Sequence, residues 1–331
     1  MPTLDDTLLQ RTTRTHFLPK LKNNIYNRTR LFKVLSMKGR VQDFVGRGLE
    51  WSVVSQMNAA NGLFSGYSPV VSQPINPMVG ATLANANYYS AVAISMEEEK
   101  KNTGRLEKLI DILKAQMQNA ESTLKNSLGT DVYGSGTSVG GLQPLIGLGA
   151  AVSASNTYAG IDRTAAAGTF WQANVNSTAY TDDQLQDSTD DGYMPRIMND
   201  SLTSATHDGS PDIIVTTKRL YNIYQVIAQT KNLRFNNDMA NLGFGGVEFG
   251  AGVTMIFDDF CTAKYMYFLN TDNWQLFVFP GADFDFVTDD KGSIWRYPIN
   301  QFAKVAYIIW MGQLRLDSPW QQAVISAAGD A

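Results

Sequence analysis

Cysteine is almost absent from this sequence: Cys261 stands alone in 331 residues, and only two histidines accompany it. One thiol excludes an intrachain disulfide framework, and so few imidazoles exclude the usual zinc sites. Charge is scarce as well. Asp, Glu, Lys and Arg make up 18% of the chain, below the roughly 25% common in soluble domains. The apolar fraction is an ordinary 44%, so this is not the composition of a disordered chain. A surface poor in charge points instead to extensive cover by other protein. No stretch approaches the roughly 18 apolar residues that cross a bilayer; the longest apolar run, Val305 to Met311, reads as a buried strand. The N-terminal residues lack the apolar centre of a secretory signal, which predicts a cytoplasm-like start.

Motifs of catalysis and cofactor binding are thin. The Gly-rich stretches 134–149 and 243–252 hold neither G-x-G-x-x-G nor G-x-x-x-x-G-K-[ST], so no nucleotide cradle is supported. Gly136-Thr-Ser138-Val-Gly140 matches the G-x-S-x-G of hydrolases, and Ser138, Asp187 and His207 follow the chain order of that triad. That turn needs a buried strand before the serine and a helix after it, whereas here a helix end precedes it. Asp187-Ser-Thr-Asp-Asp-Gly192 resembles the start of a calcium loop, but Thr189 holds its third position and Met198 its twelfth, where a glutamate is expected. The pairs Asp258-Asp259 and Asp289-Asp290 read as turn carboxylates rather than the two facing carboxyls of a glycosidase. The reading is of a non-enzyme with no catalytic residue, cofactor or metal.

The charge that is present is unevenly spread. Residues 1–50 hold 10 Lys and Arg against 4 Asp and Glu, and the rest of the chain is acidic. This leading arm, with Arg28, Arg30, Lys33, Lys38, Arg40 and Arg47, reads as a solvated or subunit-contacting arm or as a contact to nucleic acid. It lacks the interleaved aromatics of a nucleic-acid groove.

Leu49, Trp51, Val53 and Met57 alternate in an extended segment; breakers from Gly62 to Gly80 follow, and Ala81–Met96 is extended again. The pattern predicts a long hairpin too poor in apolar surface to stand alone. Leu106, Leu109, Ile110, Leu113, Met117, Ala120, Leu124 and Leu128 recur at helical spacing. They predict a helix over 102–128, capped by Asn102 or Thr103 and closed by Gly129. Beyond it come a loop-rich region with a helix over about 183–199, a strand at 213–216 and a helix at 217–229. Strands at 253–257, 264–269, 275–279 and 304–310 complete an α+β chain.

Several stretches in this order resemble the major capsid proteins of tailed double-stranded-DNA bacteriophages, the Hong-Kong-97-type shell fold. They are the extended arm (49–96), the spine helix, Gly140-Gly-Leu-Gln-Pro-Leu-Ile146, and Tyr158-Ala-Gly-Ile-Asp-Arg163 with Phe170-Trp171. Pro211-Asp-Ile-Ile-Val-Thr216 and Tyr265-Met-Tyr-Phe-Leu-Asn270 follow. The resemblance covers about 45–325. It implies an N-terminal arm (1–47), an extended β-hairpin loop (48–98), a peripheral domain whose spine lies in 99–139, an axial domain (140–250), and peripheral strands with the C-terminal segment in 251–331.

The implied function is a structural shell of pentamers and hexamers around packaged DNA that is bound without sequence specificity. The protein would lie in the virion after assembly in the host cytoplasm, with no membrane partner. A separate scaffolding protein, a portal and a decoration protein are the implied partners. Inter-subunit contacts are expected at Trp51, Gly62, Gly66, Tyr88, Tyr89, Arg28 and Arg30, with packing inside the subunit as the alternative for the aromatics. No lysine lies between Lys38 and Lys100, so the loop lacks the isopeptide-forming lysine of some relatives. The opening before residue 45 is too short and un-periodic for a built-in scaffolding segment. An encapsulin-like compartment shell is the nearest alternative function, and a Ser138/His207 hydrolase the remote one.

Overall fold

A computed structural model describes residues 29–56, 63, 65–66, 77–101, 106–205, 209–230, 247–249, 252–289 and 292–329. Arg28, Gly62, His207, Asn102, Thr103 and the glycines at 243–246 lie outside the described residues.

The first element is helix α1 (Arg30–Met37), whose Leu31, Phe32, Val34 and Leu35 are buried. It ends as the sequence Lys38-Gly39 dictates. Gly39 takes φ +67°, Gly39 N donates to Ser36 O, and Arg40 N donates to Leu35 O. These two hydrogen bonds satisfy carbonyls of the last turn, and glycine adopts the left-handed conformation without strain. Strand β1 (Val41–Asp43) follows, then β2 (Gly48–Val54), β3 (Met78–Ala84) and β4 (Ala86–Ser95). The leading segment is therefore docked from residue 29 onward, which departs from the solvated arm read from its charge. Its apolar residues alternate at helical spacing and outweigh the basic ones between them.

The returning arm of the hairpin divides at Asn85. β3 pairs antiparallel with β2, while β4 pairs with a C-terminal strand in another sheet. Helix α2 (Met96–Lys101) leads to the spine, α3 (Leu106–Val132). The spine keeps the predicted face, with Met117, Ala120, Leu124 and Leu128 buried, but does not stop at Gly129. It runs one turn further because Gly129 serves close packing rather than termination: a Cβ there would meet the Phe260 ring at 2.6 Å.

The middle of the chain gives helix α4 (Leu148–Ala151), a 3-10 turn at Ala166–Trp171, and strand β5 (Asn174–Asn176). Helix α5 (Asp182–Gln186), helix α6 (Met194–Ser204), strand β6 (Ile213–Thr216) and helix α7 (Lys218–Thr230) come next. The single helix expected over 183–199 is two. A capping box between Thr181 and Gln184 starts α5; Asp187 and Asp190 then bend the chain by accepting from Thr189 N and Gly192 N, and Pro195 opens α6.

The C-terminal part holds β7 (Val247–Phe249), β8 (Val253–Phe257), β9 (Met266–Leu269), β10 (Trp274–Phe286), β11 (Ala303–Leu316) and β12 (Ala323–Ile325). β10 is longer than the predicted 275–279. The Pro280-Gly281 breaker is absorbed by register shifts between Val278 and Asp285, where a missing N–H costs no ladder bond.

Two sheets and a ribbon result. The four-stranded sheet runs β1-β10-β11-β4, the six-stranded sheet runs β5-β12-β9-β6-β8-β7, and β2-β3 stand as a pair. The spine lies against β4, one face of which presents Ala86, Ser90, Val92 and Ile94 inward. In the six-stranded sheet the period-2 alternation separates two cores. Ile213, Val215, Tyr267 and Leu269 join the spine-side core, while Ile214, Met266 and Phe268 join α5, α6 and α7 on the other face. Burial on both faces is why 213–216 reads as an uninterrupted apolar run. The sheet takes β6 and β8, a parallel pair, from either side of residue 250.

Candidate inter-subunit surfaces

The ribbon stands outside the two larger sheets. Leu49, Val53, Ala81 and Leu83 face inward and are buried; Glu50, Ser52, Val54, Met78 and Gly80 face out. Val54 and Met78, directly opposite each other at the outer end, are each 60% exposed. Its root is fixed at two points. Thr82 N donates to Ala159 O at 2.9 Å, and the buried Gln313 gives its Nε2 to Ala84 O at 2.7 Å. Ala159 belongs to a two-residue turn with Gly160, both at positive φ, bridged by Tyr158 and Ile161. Such a turn matches the twist of its flanking strands.

That turn opens the Gly-Ile-Asp-Arg segment, and its role is structural. Arg163 is fully buried. Its Nη1 donates to Ala150 O and Ser153 O at 2.8 Å, and its Nη2 to Ala151 O at 2.7 Å, so one fork closes the open carbonyls of α4. Burial pulls its pKa down to about 10. Trp171 stacks on Tyr158, whose hydroxyl accepts from Leu316 N at 2.8 Å. The hub thus ties α4, the 3-10 turn and the end of β11 together beneath the ribbon.

The seven expected contact residues fall in different places. Trp51 is half-buried at the ribbon root, with the Arg315 guanidinium 4.8 Å from its ring centre. Tyr88 turns inward: its hydroxyl donates to Asp131 at 2.5 Å and accepts from Leu145 N, and its ring lies 5.7 Å from Trp310. Tyr89, its neighbour, points the other way because successive strand residues alternate. It is 72% exposed and meets Tyr307 edge-on at 6.4 Å. Gly66 is exposed with open space about it. Arg30 is used within the chain, its Nη1 donating to Phe257 O and its guanidinium lying over the Phe257 ring at 3.6 Å. Arg28 and Gly62 lie outside the described residues.

Two of the basic residues after Arg30 are also engaged. Lys38 pairs with Asp212 and donates to Thr271 Oγ1, and Arg40 pairs with Asp272. Arg30 N, at the start of α1, donates to Asp258 Oδ2 at 3.1 Å, and Phe260 N to Asp258 Oδ1 at 3.0 Å. Asp258 is buried, and desolvation raises its pKa against the pull of these donors. The Tyr133 phenol faces the same carboxylate short of a well-formed hydrogen bond.

Two exposed apolar features were not read from the sequence. Tyr297, Ile299 and Phe302 stand out of the connection between β10 and β11, Ile299 and Phe302 almost fully. Val139 and Leu142 flank a tight turn at Gly140-Gly141, where both glycines take positive φ. The signal available was an apolar residue inside a breaker-rich loop, where no fold requirement places it.

Chemistry-bearing candidates are not assembled. Ser138 sits on an exposed loop leading into the Val139–Leu142 turn, not between a buried strand and a helix. Asp187 is occupied by Thr189 N and Oγ1, and Asp191 by Arg196, so the acidic loop is held by its own donors. Asp259 is exposed beside the buried Asp258. Among the described residues no group of three His, Cys, Asp or Glu is placed to hold a metal, and no helix is long and apolar enough to cross a membrane.

No family model matches the sequence, and no curated protein matches it. Solved structures do match in fold. The cyanophage A-1(L) capsid asymmetric unit aligns at TM-score 0.59 and 17% identity, over 92% of this chain and 94% of that one. The capsid of a native GTA particle aligns at 0.55 and 9% identity, over 90% of each. The holo-SrpI encapsulin complex from Synechococcus elongatus PCC 7942 aligns at 0.53 and 9% identity, over 99% of this chain and 97% of that one. Spine helix, long-stranded sheet, two-faced six-stranded sheet and projecting ribbon together are the Hong-Kong-97-type capsid fold, and this chain has it.

Proposed function

We propose that this protein is a major capsid protein, many copies of which build an icosahedral shell of pentamers and hexamers around double-stranded DNA. The observation that carries the proposal is the ribbon within this fold. It is a two-stranded element, marginal in water by itself, whose one face packs on the core while Glu50, Ser52, Val54 and Met78 stand exposed on the other. Cover from an identical neighbour supplies what the chain does not. Head-to-tail repetition of one contact closes rings. The exposed Tyr89, Ile299 and Phe302 supply further apolar contact area.

No charged residue occurs from Trp51 to Met96, so welding through a loop lysine is unavailable and shell strength is noncovalent or comes from a decoration protein. The acidic balance beyond residue 50 repels phosphate, so the DNA is confined rather than bound tightly. A separate scaffolding protein and a portal complete the assembly, which takes place in the host cytoplasm. The encapsulin reading shares the fold; the greater likeness to the cyanophage capsid favours the phage shell. Electron microscopy of the purified protein across concentrations, alone and with a co-expressed scaffold, tests the proposal. Closed shells or capsomers are expected. A protein that stays monomeric throughout refutes it.

A further inference from the structure

Among the described residues one edge of the ribbon carries no backbone partner, and the register identifies it. Ser55 N donates to Pro77 O at 2.7 Å, which makes that pair hydrogen-bonded. In an antiparallel ladder bonded and non-bonded pairs alternate. Val53–Val79 and Trp51–Ala81 are therefore bonded across the ribbon, and Val54–Met78, Ser52–Gly80 and Glu50–Thr82 turn their backbone groups outward. Thr82 N confirms the phase by donating outward to Ala159 O. The outer side of β3 is thus taken up by the body at Thr82 and Ala84. On β2 no described backbone group pairs with Glu50, Ser52 or Val54 on the outer side.

That edge borders a groove of about 880 Å³. Residues 51–56 line it together with Thr169, Phe170, Arg315, Asp317 and Trp320. The strand residues Trp51–Val54 of this lining span about 13 Å, room for a short added strand. Arg315 and Asp317 bond each other at 2.5 Å, so the groove offers aromatic surface, free amide and carbonyl groups, and no unbalanced charge. The chemistry it accepts is an uncharged extended segment. This chain has one, in the uncharged stretch from Trp51 to Met96.

We infer that the edge of β2 and its groove receive, as a third strand, a piece of residues 57–76 from a second copy of the chain. The inference rests on the shell reading and names the seat of its contact. Strand addition gives affinity through backbone bonds, while Phe170, Trp320 and Trp51 select apolar side chains at alternate positions. The contact joins two different surfaces, so it is heterologous and continues from copy to copy.

Residue-resolved amide hydrogen exchange across protein concentration, with electron microscopy of the same samples, tests it. The amides of Ser52 and Val54 are expected to slow by roughly a hundredfold as copies associate, while those of Trp51 and Val53 are protected throughout. Ser52→Pro removes an outward N–H and no bond within the ribbon. It is expected to abolish the concentration-dependent protection at Val54 while leaving that of Val53 in place. Particles without protection at Ser52 and Val54 overturn the inference and leave the shell reading standing. Protection without particles supports the contact and removes the shell. Neither protection nor particles overturns both. Protection that is present at every dilution places the chain's own loop in the groove and overturns the inference.

Discussion

Two buried ionisable residues carry much of the junction between the parts of this molecule, and they behave differently. Arg163 has three backbone carbonyls and no carboxylate about its guanidinium. Its charge is held by these carbonyl dipoles and by the Tyr158 ring 5.2 Å away, an arrangement that a point charge on a flexible stem does not replace. Arg163→Lys is expected to cost about 2–3 kcal/mol, and Arg163→Met about 3–5 kcal/mol, because buried acceptors are left bare; urea unfolding measures both. Asp258 has a carboxyl raised above its ordinary 3.8 by burial. The native state then binds a proton that the unfolded chain has already released, so this group's contribution to stability falls as pH rises through the raised value. The stability advantage of the wild type over Asp258→Asn is expected to be largest at the acid end of that window and to shrink above it. An advantage that grows with pH contradicts the assignment.

At the scale of elements, the spine and the ribbon illustrate opposite uses of small residues. Gly129 lies inside α3, where alanine normally gains about 1 kcal/mol. Here a Cβ would meet three atoms of the Phe260 ring at 2.6–2.7 Å. Gly129→Ala is therefore expected to lower the unfolding free energy by about 1–3 kcal/mol through overpacking, read as a drop in Tm. Of the ribbon, Leu49, Val53, Ala81 and Leu83 join the spine-side core and Trp51 and Val79 pack against it. Replacing residues 56–76 by a short Gly-Asn turn is expected to leave cooperative unfolding within about 1 kcal/mol of the parent, since loop length costs little. Self-association measured by sedimentation is expected to be lost. A variant that unfolds would show that the ribbon tip is part of the subunit's own core.

At the scale of the whole molecule, the two cores share one sheet, so the spine side and the α5–α7 side are not free to fold apart. β6 contributes alternate residues to both. Helix α1 and the residues after it close this arrangement, reaching the β8–β9 connection through Arg30 and the ends of the central strands β6 and β9 through Lys38 and Arg40. These exposed pairs are screened by salt. Raising ionic strength is expected to lower stability only slightly, because the apolar face of α1 holds the segment. A collapse of α1 protection in salt, followed by hydrogen exchange, would reverse that ranking.

The sequence alone determined the elements with strong periodicity, with their ends left approximate: the spine, read as 102–128, a helix at 217–229 and the apolar strands at 213–216, 253–257 and 304–310. Their burial faces are written in residue spacing, a local property. It also carried the Tyr158–Trp171 segment, whose residue types are unusual enough to be recognised, though not the reason for them. Only the tertiary structure decided that α1 is core, that the hairpin's returning arm divides at Asn85, that Gly129 sits inside the helix, and that Tyr88 turns inward while Tyr89 stands exposed. Each depends on a partner more than forty residues away, and pairings at that distance are set by which surfaces meet in the packed chain, which no local pattern encodes.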